Sequence, residues 1–308
     1  MAGAYRHNQG VRALFVVLLV QVALGAVLLV LVATGSLGFG GDDNADDPKP
    51  VAVRRVDRFD EDRAWAWVER QVELGPRPAG SPASRRLAAQ LRAALPGGRY
   101  QAVPGGLRNV VGTTPGRDRG RTVVVGAHYD TKDIEGFVGA NDGAGGTAAL
   151  VELARTIKPR TIGPTIVWIA FDGEESPGPD DSGDFERRGI RGSKVAARRY
   201  AKAEAMILLD FVADRRLSTP REGNSDIELW GKLRAAARRV GTARHFPDDT
   251  RDPISDDHIP FLRRGVPSID LIDFDFPCWH ETCDDLSAVS RQSLDVSGET
   301  VRALLASL

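Results

Sequence analysis

Between Arg121 and His128 the chain carries Thr122-Val123-Val124-Val125, an unbroken run of β-branched residues. A strand with one face in water alternates apolar and polar residues, so a continuous apolar run belongs to a strand covered on both faces, as in a parallel sheet flanked by helices. The chain repeats the pattern downstream. Thr165 to Asp172, Met206 to Asp210 and Ser268 to Asp273 are further runs of strand length, and Leu107 to Thr113 reads as another strand. Helical spacing fills the intervals at about Gly143 to Thr156, Ser193 to Ala203 and Leu229 to Val240, with a short helix at Asp257 to Arg264 and a terminal one from Ser290 to Leu308. Upstream, Trp65, Val68 and Val72 recur at helical spacing between Asp60 and Leu74, and Ser81-Pro82 supplies an N-cap and a first-turn proline for a helix ending near Leu95. The alternation predicts an α/β fold: a three-layer sandwich whose central, mostly parallel, twisted sheet is flanked by helices.

The N-terminus is different material. Ala13 to Ala33 is apolar apart from Gln21 and Gly25, the length of a bilayer-crossing helix. Arg6 and Arg12 precede it and acidic residues follow, an asymmetry that leaves the N-terminus cytoplasmic. The expected organisation is residues 1–12 in the cytoplasm, 13–33 as a transmembrane anchor, 34–53 as a flexible linker and 54–308 as one catalytic domain outside the membrane. That domain is secreted if the apolar segment is instead a cleaved signal. Lysine plus arginine (41) nearly cancels aspartate plus glutamate (42), which argues against nucleic acid as a partner. With two cysteines, Cys278 and Cys283, neither a disulfide framework nor a four-cysteine zinc module is available.

Ligands of open α/β sheets bind outside the carboxyl ends of the strands. Here those ends carry His128 and Asp130, then Asp172, Glu174 and Glu175, then Asp210, while His280 lies beyond the last strand. Asp142 sits between Gly139 and Gly143, where glycines let the backbone turn before a helix. Imidazole and carboxylate gathered from separate strand ends are the donors of a catalytic zinc, and Glu174 beside Glu175 places a proton shuttle next to a ligand. Taken singly, each of these residues reads first as a cap or a surface group, and it is their combination that points to a site. Asp130 is placed to orient His128, and His258 to support the site rather than to ligate. Ser176 to Arg191, dense in Gly, Pro, Asp and Arg, reads as an exposed loop shaping a substrate entrance.

Ala127-His128-Tyr129-Asp130, Gly139-Ala140-Asn141-Asp142, Phe171-Asp172-Gly173-Glu174-Glu175, Leu208-Leu209-Asp210 and Trp279-His280 resemble, in order, the motifs of the M28 zinc aminopeptidase superfamily. Asp256 to Pro267, and Trp279 directly before His280, resemble its glutaminyl-peptide cyclotransferase branch. That resemblance implies one zinc on Asp142, Glu175 and His280, with Glu174 transferring the proton. It further implies Asp210 and Asp256 in a buried hydrogen-bond network, and Trp279 and Phe276 along the substrate pocket. In the dinuclear aminopeptidases the residues matching Asp142, His128 and Asp210 hold a second zinc, and Asn141 before Asp142 is the peptidase pattern. The substrate implied is a peptide or protein N-terminus, cyclised at glutamine by a transferase or hydrolysed by an aminopeptidase; an inactive binding module of the same fold is a third reading. Cys278 and Cys283 bracket His280, either as a pair stiffening the ligand loop or as two reduced thiols.

Overall fold

The β-branched run forms the middle of the sheet, as its composition requires. The computed structural model describes residues 58–179 and 184–308. The anchor and linker expected at 13–33 and 34–53 lie outside the described residues, among which no helix is long and apolar enough to cross a membrane. In chain order the elements are α1 (Glu61–Glu73), α2 (Pro82–Ala94), β1 (Arg99–Val103), β2 (Leu107–Thr114), β3 (Asp118–His128), α3 (Ala144–Thr156) and β4 (Pro164–Phe171). They continue with α4 (Phe185–Arg188), α5 (Arg191–Arg199), β5 (Ala205–Leu209), α6 (Ile227–Val240), α7 (Ile259–Leu262), β6 (Ser268–Leu271) and α8 (Arg291–Leu305).

The six strands lie in the order β1-β2-β4-β3-β5-β6. β4, β3, β5 and β6 run parallel, as the sequence predicts, but β2 pairs antiparallel with β4 and β1 antiparallel with β2. The sheet is mostly parallel, as expected, and the antiparallel pairings are confined to the edge that carries β1 and β2. β1 escapes sequence reasoning because four of its five residues are exposed or half-buried, so no apolar alternation marks it. It exists as the outer arm of a hairpin closed by Pro104, Gly105 and Gly106, both glycines at positive φ. α4, inside the expected loop at 176–191, is a single turn too short to leave a periodic signal.

Successive residues of the central strands alternate between two cores. Val123, Val125, Ile166, Trp168, Ile207 and Leu209 pack with α1, α3, α6 and α8, while Val124, Val167, Ile169, Met206 and Leu208 pack with α5 and α7 on the other face. Both faces are dry, which is why those strands carry no polar alternation. α3 lies so close to β5 that a Cβ on Gly146 would fall 2.1 Å from the Leu209 carbonyl oxygen. The register pairs His128 with Phe171 and Leu209 with Leu271, so the parallel strands end at one edge. Everything that follows those ends converges there.

Candidate metal centre

Asp142 is aimed by its backbone. Gly143 adopts φ 86°, and a Cβ there would approach the Asp130 carbonyl oxygen to 2.8 Å. The amides of Asn141 and Asp142 donate to the Asp284 carboxylate at 2.8 and 3.0 Å, and the buried Arg77 guanidinium donates to the carbonyls of Val138 and Gly139 at 2.8 and 3.2 Å. So held, the Asp142 carboxylate lies between two imidazoles. Its Oδ1 is 3.2 Å from His128 Nε2, and its Oδ2 is 3.5 Å from His280 Nε2. Asp210 Oδ1 approaches His128 Nε2 to 3.3 Å, and Glu175 Oε1 approaches His280 Nε2 to 3.2 Å. Two donor triads, His128–Asp142–Asp210 and Asp142–Glu175–His280, therefore share one carboxylate.

The spacing fits a metal. A four-coordinate zinc with ligands at about 2.0–2.1 Å sets neighbouring ligand atoms about 3.3 Å apart, and the spacings given above run from 3.2 to 3.5 Å. Asp142 Oδ2 is buried with no hydrogen-bond partner among the described residues, an acceptor whose desolvation a cation would offset. Asp142, Glu175 and Asp210, with Glu174 beside them, are all buried, a density of negative charge that favours a cation. Burial opposes charge on His128, but Asp210 and Asp142 outweigh it and raise its pKa.

Glu174 belongs to neither triad. It is buried, with Oε2 3.8 Å from His128 Nδ1, and burial together with the charge of Glu175 pushes its pKa well above the usual carboxylate range. A buried carboxyl that holds its proton more tightly than usual, beside a candidate ligand, is what acid–base work needs.

Asp130 acts differently from the sequence expectation. His128 Nδ1 meets the backbone oxygen of Asp130 at 3.1 Å, while the nearest carboxylate oxygen is 4.0 Å away. That carboxylate instead accepts the amides of Gly173, Glu174 and Glu175 at 2.9, 3.2 and 3.2 Å, because three converging donors satisfy it better than one. It positions the Glu174-Glu175 turn. Lys132, missed as a site residue, is fully buried with Nζ 3.0 Å from Ser176 Oγ and 3.6 Å from Glu175 Oε2. A lone lysine leaves no pattern in the sequence that would have found it. His258 lies away from both triads, with Nε2 3.1 Å from Glu222 Oε2 and Nδ1 3.6 Å from Asp270 Oδ2.

A cavity of about 300 Å³ opens onto Asp142, Glu174, Glu175, Asp210, Asp256 and His280. Trp279 lines its mouth, stacked on His280 at 4.5 Å, and Phe185 of α4 contributes from the loop expected to shape the entrance. Phe276, expected on the pocket wall, is buried behind it against Phe211 at 5.7 Å, and Phe274 faces the cavity instead. The Asp273 carboxylate accepts the Ser218 amide at 2.7 Å while the Phe276 amide donates to the Asp273 carbonyl at 3.3 Å. That turn sends Phe274 outward and Phe276 inward.

Residues 109–305 match the family model of Peptidase family M28, well over half of the chain. The chain belongs to peptidase family M28. Among its relatives is the glutaminyl-peptide cyclotransferase of Bothrops jararaca, 29% identical over 57% of this chain; the match spans 58% of that protein's length. Among solved structures, glutaminyl cyclase from Porphyromonas gingivalis superposes with a TM-score of 0.73 at 27% identity, covering 81% of this chain and 98% of that one. A leucine aminopeptidase precursor from Bacteroides thetaiotaomicron superposes with a TM-score of 0.72 at 27% identity, covering 82% and 98%. Cyclases and a peptidase thus share this M28 architecture.

One device in this M28 chain concerns the ligand loop. Cys278 and Cys283 form a disulfide with Cα atoms 5.4 Å apart, closing the loop in which His280 holds φ 53°, a region costly for a side chain other than glycine. Asp284, which receives the Asn141 and Asp142 amides, follows directly. The loop therefore ties two candidate ligands of one triad together. The double substitution of both cysteines to serine is expected to weaken zinc binding about 10-fold, the scale seen when groups orienting a ligand are lost. Chelator competition on the folded variant measures this, and unchanged affinity would show that the loop holds its shape without the bond.

Proposed function

We propose that this chain is a zinc-dependent glutaminyl-peptide cyclotransferase that closes the N-terminal glutamine of a peptide to pyroglutamate and releases ammonia. The observation that carries this reading is Asp256, whose buried carboxyl lines the metal pocket together with Glu174. A further acid lining that cavity suits an amine donor, and cyclisation requires the α-amine to be held as the nucleophile. Zinc on Asp142, Glu175 and His280 would supply a Lewis acid for the γ-carbonyl. Asp256 and Asp210 orient the amine, whose nitrogen bonds to the side-chain carbonyl carbon (Cδ) as the bond from that carbon to the amide nitrogen breaks. Glu174 takes the proton released by the amine and delivers it to the departing ammonia. Trp279 covers the bound side chain at the mouth.

A second reading rests on a specific observation too. His128, Asp142 and Asp210 also stand at coordination spacing, which suits an aminopeptidase with two metals, in which Glu174 would activate water. Incubating the zinc-loaded protein with a glutaminyl peptide and a leucyl peptide amide separates the two: ammonia with a cyclised product is expected, and free leucine with no ammonia overturns the cyclase reading. The apolar run at 13–33 extends the proposal to an enzyme tethered outside the membrane. Activity sedimenting with membranes and reaching peptide added to intact cells is the result expected there, and activity confined to the cytosol overturns it.

A further inference from the structure

A second cavity, of about 280 Å³, adjoins the metal pocket and shares the walls Ile254, Ile272 and Phe274 with it. The shared ridge is apolar and open to solvent. Phe274 is 47% exposed and Trp279 39%, their rings 5.4 Å apart, so two of the four exposed large hydrophobic residues among those described stand together at this mouth. The shared wall gives a peptide with its N-terminal residue in the metal pocket a path across this ridge. Extended chain advances about 3.3 Å per residue with side chains to alternate sides, so the next few residues pass over Phe274 into the second cavity.

The charge around that cavity is one-sided. Glu222, Asp252, Asp273 and Asp275 line it against a single cation, Arg251, whose guanidinium is engaged by Asp275 at 2.5 Å. Asp252 has no ion pair among the described residues. Burial pushes Asp273 up to about 6, a cost that a cation placed beside it relieves. Glu222 is already committed, accepting from the amides of Asn224 and Ile254 and meeting His258. Asp252 is left to meet an incoming charge, with the buried Asp273 carboxylate, which accepts the Ser218 amide, adding negative charge behind it.

We propose that this cavity is a subsite for the substrate chain beyond its N-terminal residue, and that it selects a lysine or arginine side chain within the next three positions. The proposal rests on the peptide N-terminus reading of the metal pocket, with Phe274 as the apolar step between the two subsites and Asp252 as the specificity-determining charge.

The test uses the full zinc-loaded chain and two sets of hexapeptides, glutaminyl and leucyl, each with lysine, alanine or glutamate scanned through positions two to four. Lysine at one position is expected to raise kcat/KM about 5-fold over glutamate, the scale of one partly exposed ion pair, mainly through KM. The preference should shrink in Asp252→Asn and at high salt, while Phe274→Ala weakens all hexapeptides regardless of charge. Glutaminyl hexapeptides turned over with no charge preference at any position overturn the subsite and leave the cyclase reading intact. Leucyl hexapeptides turned over with the lysine preference overturn the cyclase reading and leave the subsite standing. If neither set reacts, calorimetric binding decides: equal affinity for the lysine and glutamate peptides overturns the proposal, and tighter binding of the lysine peptides supports it.

Discussion

Replacing Glu174 with glutamine is expected to lower kcat by about 10²–10⁴-fold, the range that a positioned acid or base contributes. KM and zinc content are expected to stay close to those of the unaltered protein. The substitution keeps the shape of the side chain and removes only its capacity to exchange a proton. Glu174 lies outside both donor triads, so its loss leaves the donors of Asp142, Glu175 and His280 in place. The Asp130 carboxylate still receives the amides of Gly173, Glu174 and Glu175, because those bonds come from the backbone. Steady-state kinetics beside metal quantification reads both halves of the prediction. A variant that keeps its zinc and its rate would remove Glu174 from the chemistry under either reading, since it carries the proton in cyclisation and in hydrolysis alike.

What was legible in the sequence follows physical rules that act locally. β-branched runs placed the central strands, and the carboxyl-edge rule gathered His128, Glu174, Glu175 and Asp210 before any geometry was known. Asp142 was legible because glycines flank a turn ahead of a helix. The structure departs from expectation where an outcome depends on which of two partners a group reaches first. Asp130 stands two residues from His128, yet its carboxylate goes to three amides of another strand's turn and its carbonyl takes the imidazole. Phe274 and Phe276 follow β6 only two residues apart, and the turn in which the Phe276 amide meets the Asp273 carbonyl separates pocket wall from core. Arg77 and Asp284 support Asp142 from distant parts of the chain, which no local pattern encodes. Lys132 carries no signal in the sequence, because a lone lysine gives no pattern that marks it as buried, and its partners are brought to it only in three dimensions.

Substituting Asp142 with alanine is expected to abolish zinc binding by the folded protein, because both triads lose the carboxylate they share. The loss should exceed the 10–100-fold seen when groups that merely orient ligands are removed. Misfolding is the competing explanation, and the electrostatics argue against it. Burial and the charge of Asp142 push Asp284 up to about 7, so deleting Asp142 relieves a repulsion that offsets its lost attraction for His128 and Arg77, and the zinc-free variant should melt close to the zinc-free parent. Zinc at 100 times its Kd stabilises a protein that binds it by about 2.7 kcal/mol; the parent should show that rise in melting temperature and the variant should not. Asp210→Asn then separates the two readings of function. Asp210 contributes to the His128 triad alone, so a single-zinc cyclase keeps its full complement in that variant while a two-metal peptidase loses one of its ions. A zinc-dependent rise in melting temperature that survives in Asp142→Ala would place the metal somewhere other than between His128 and His280.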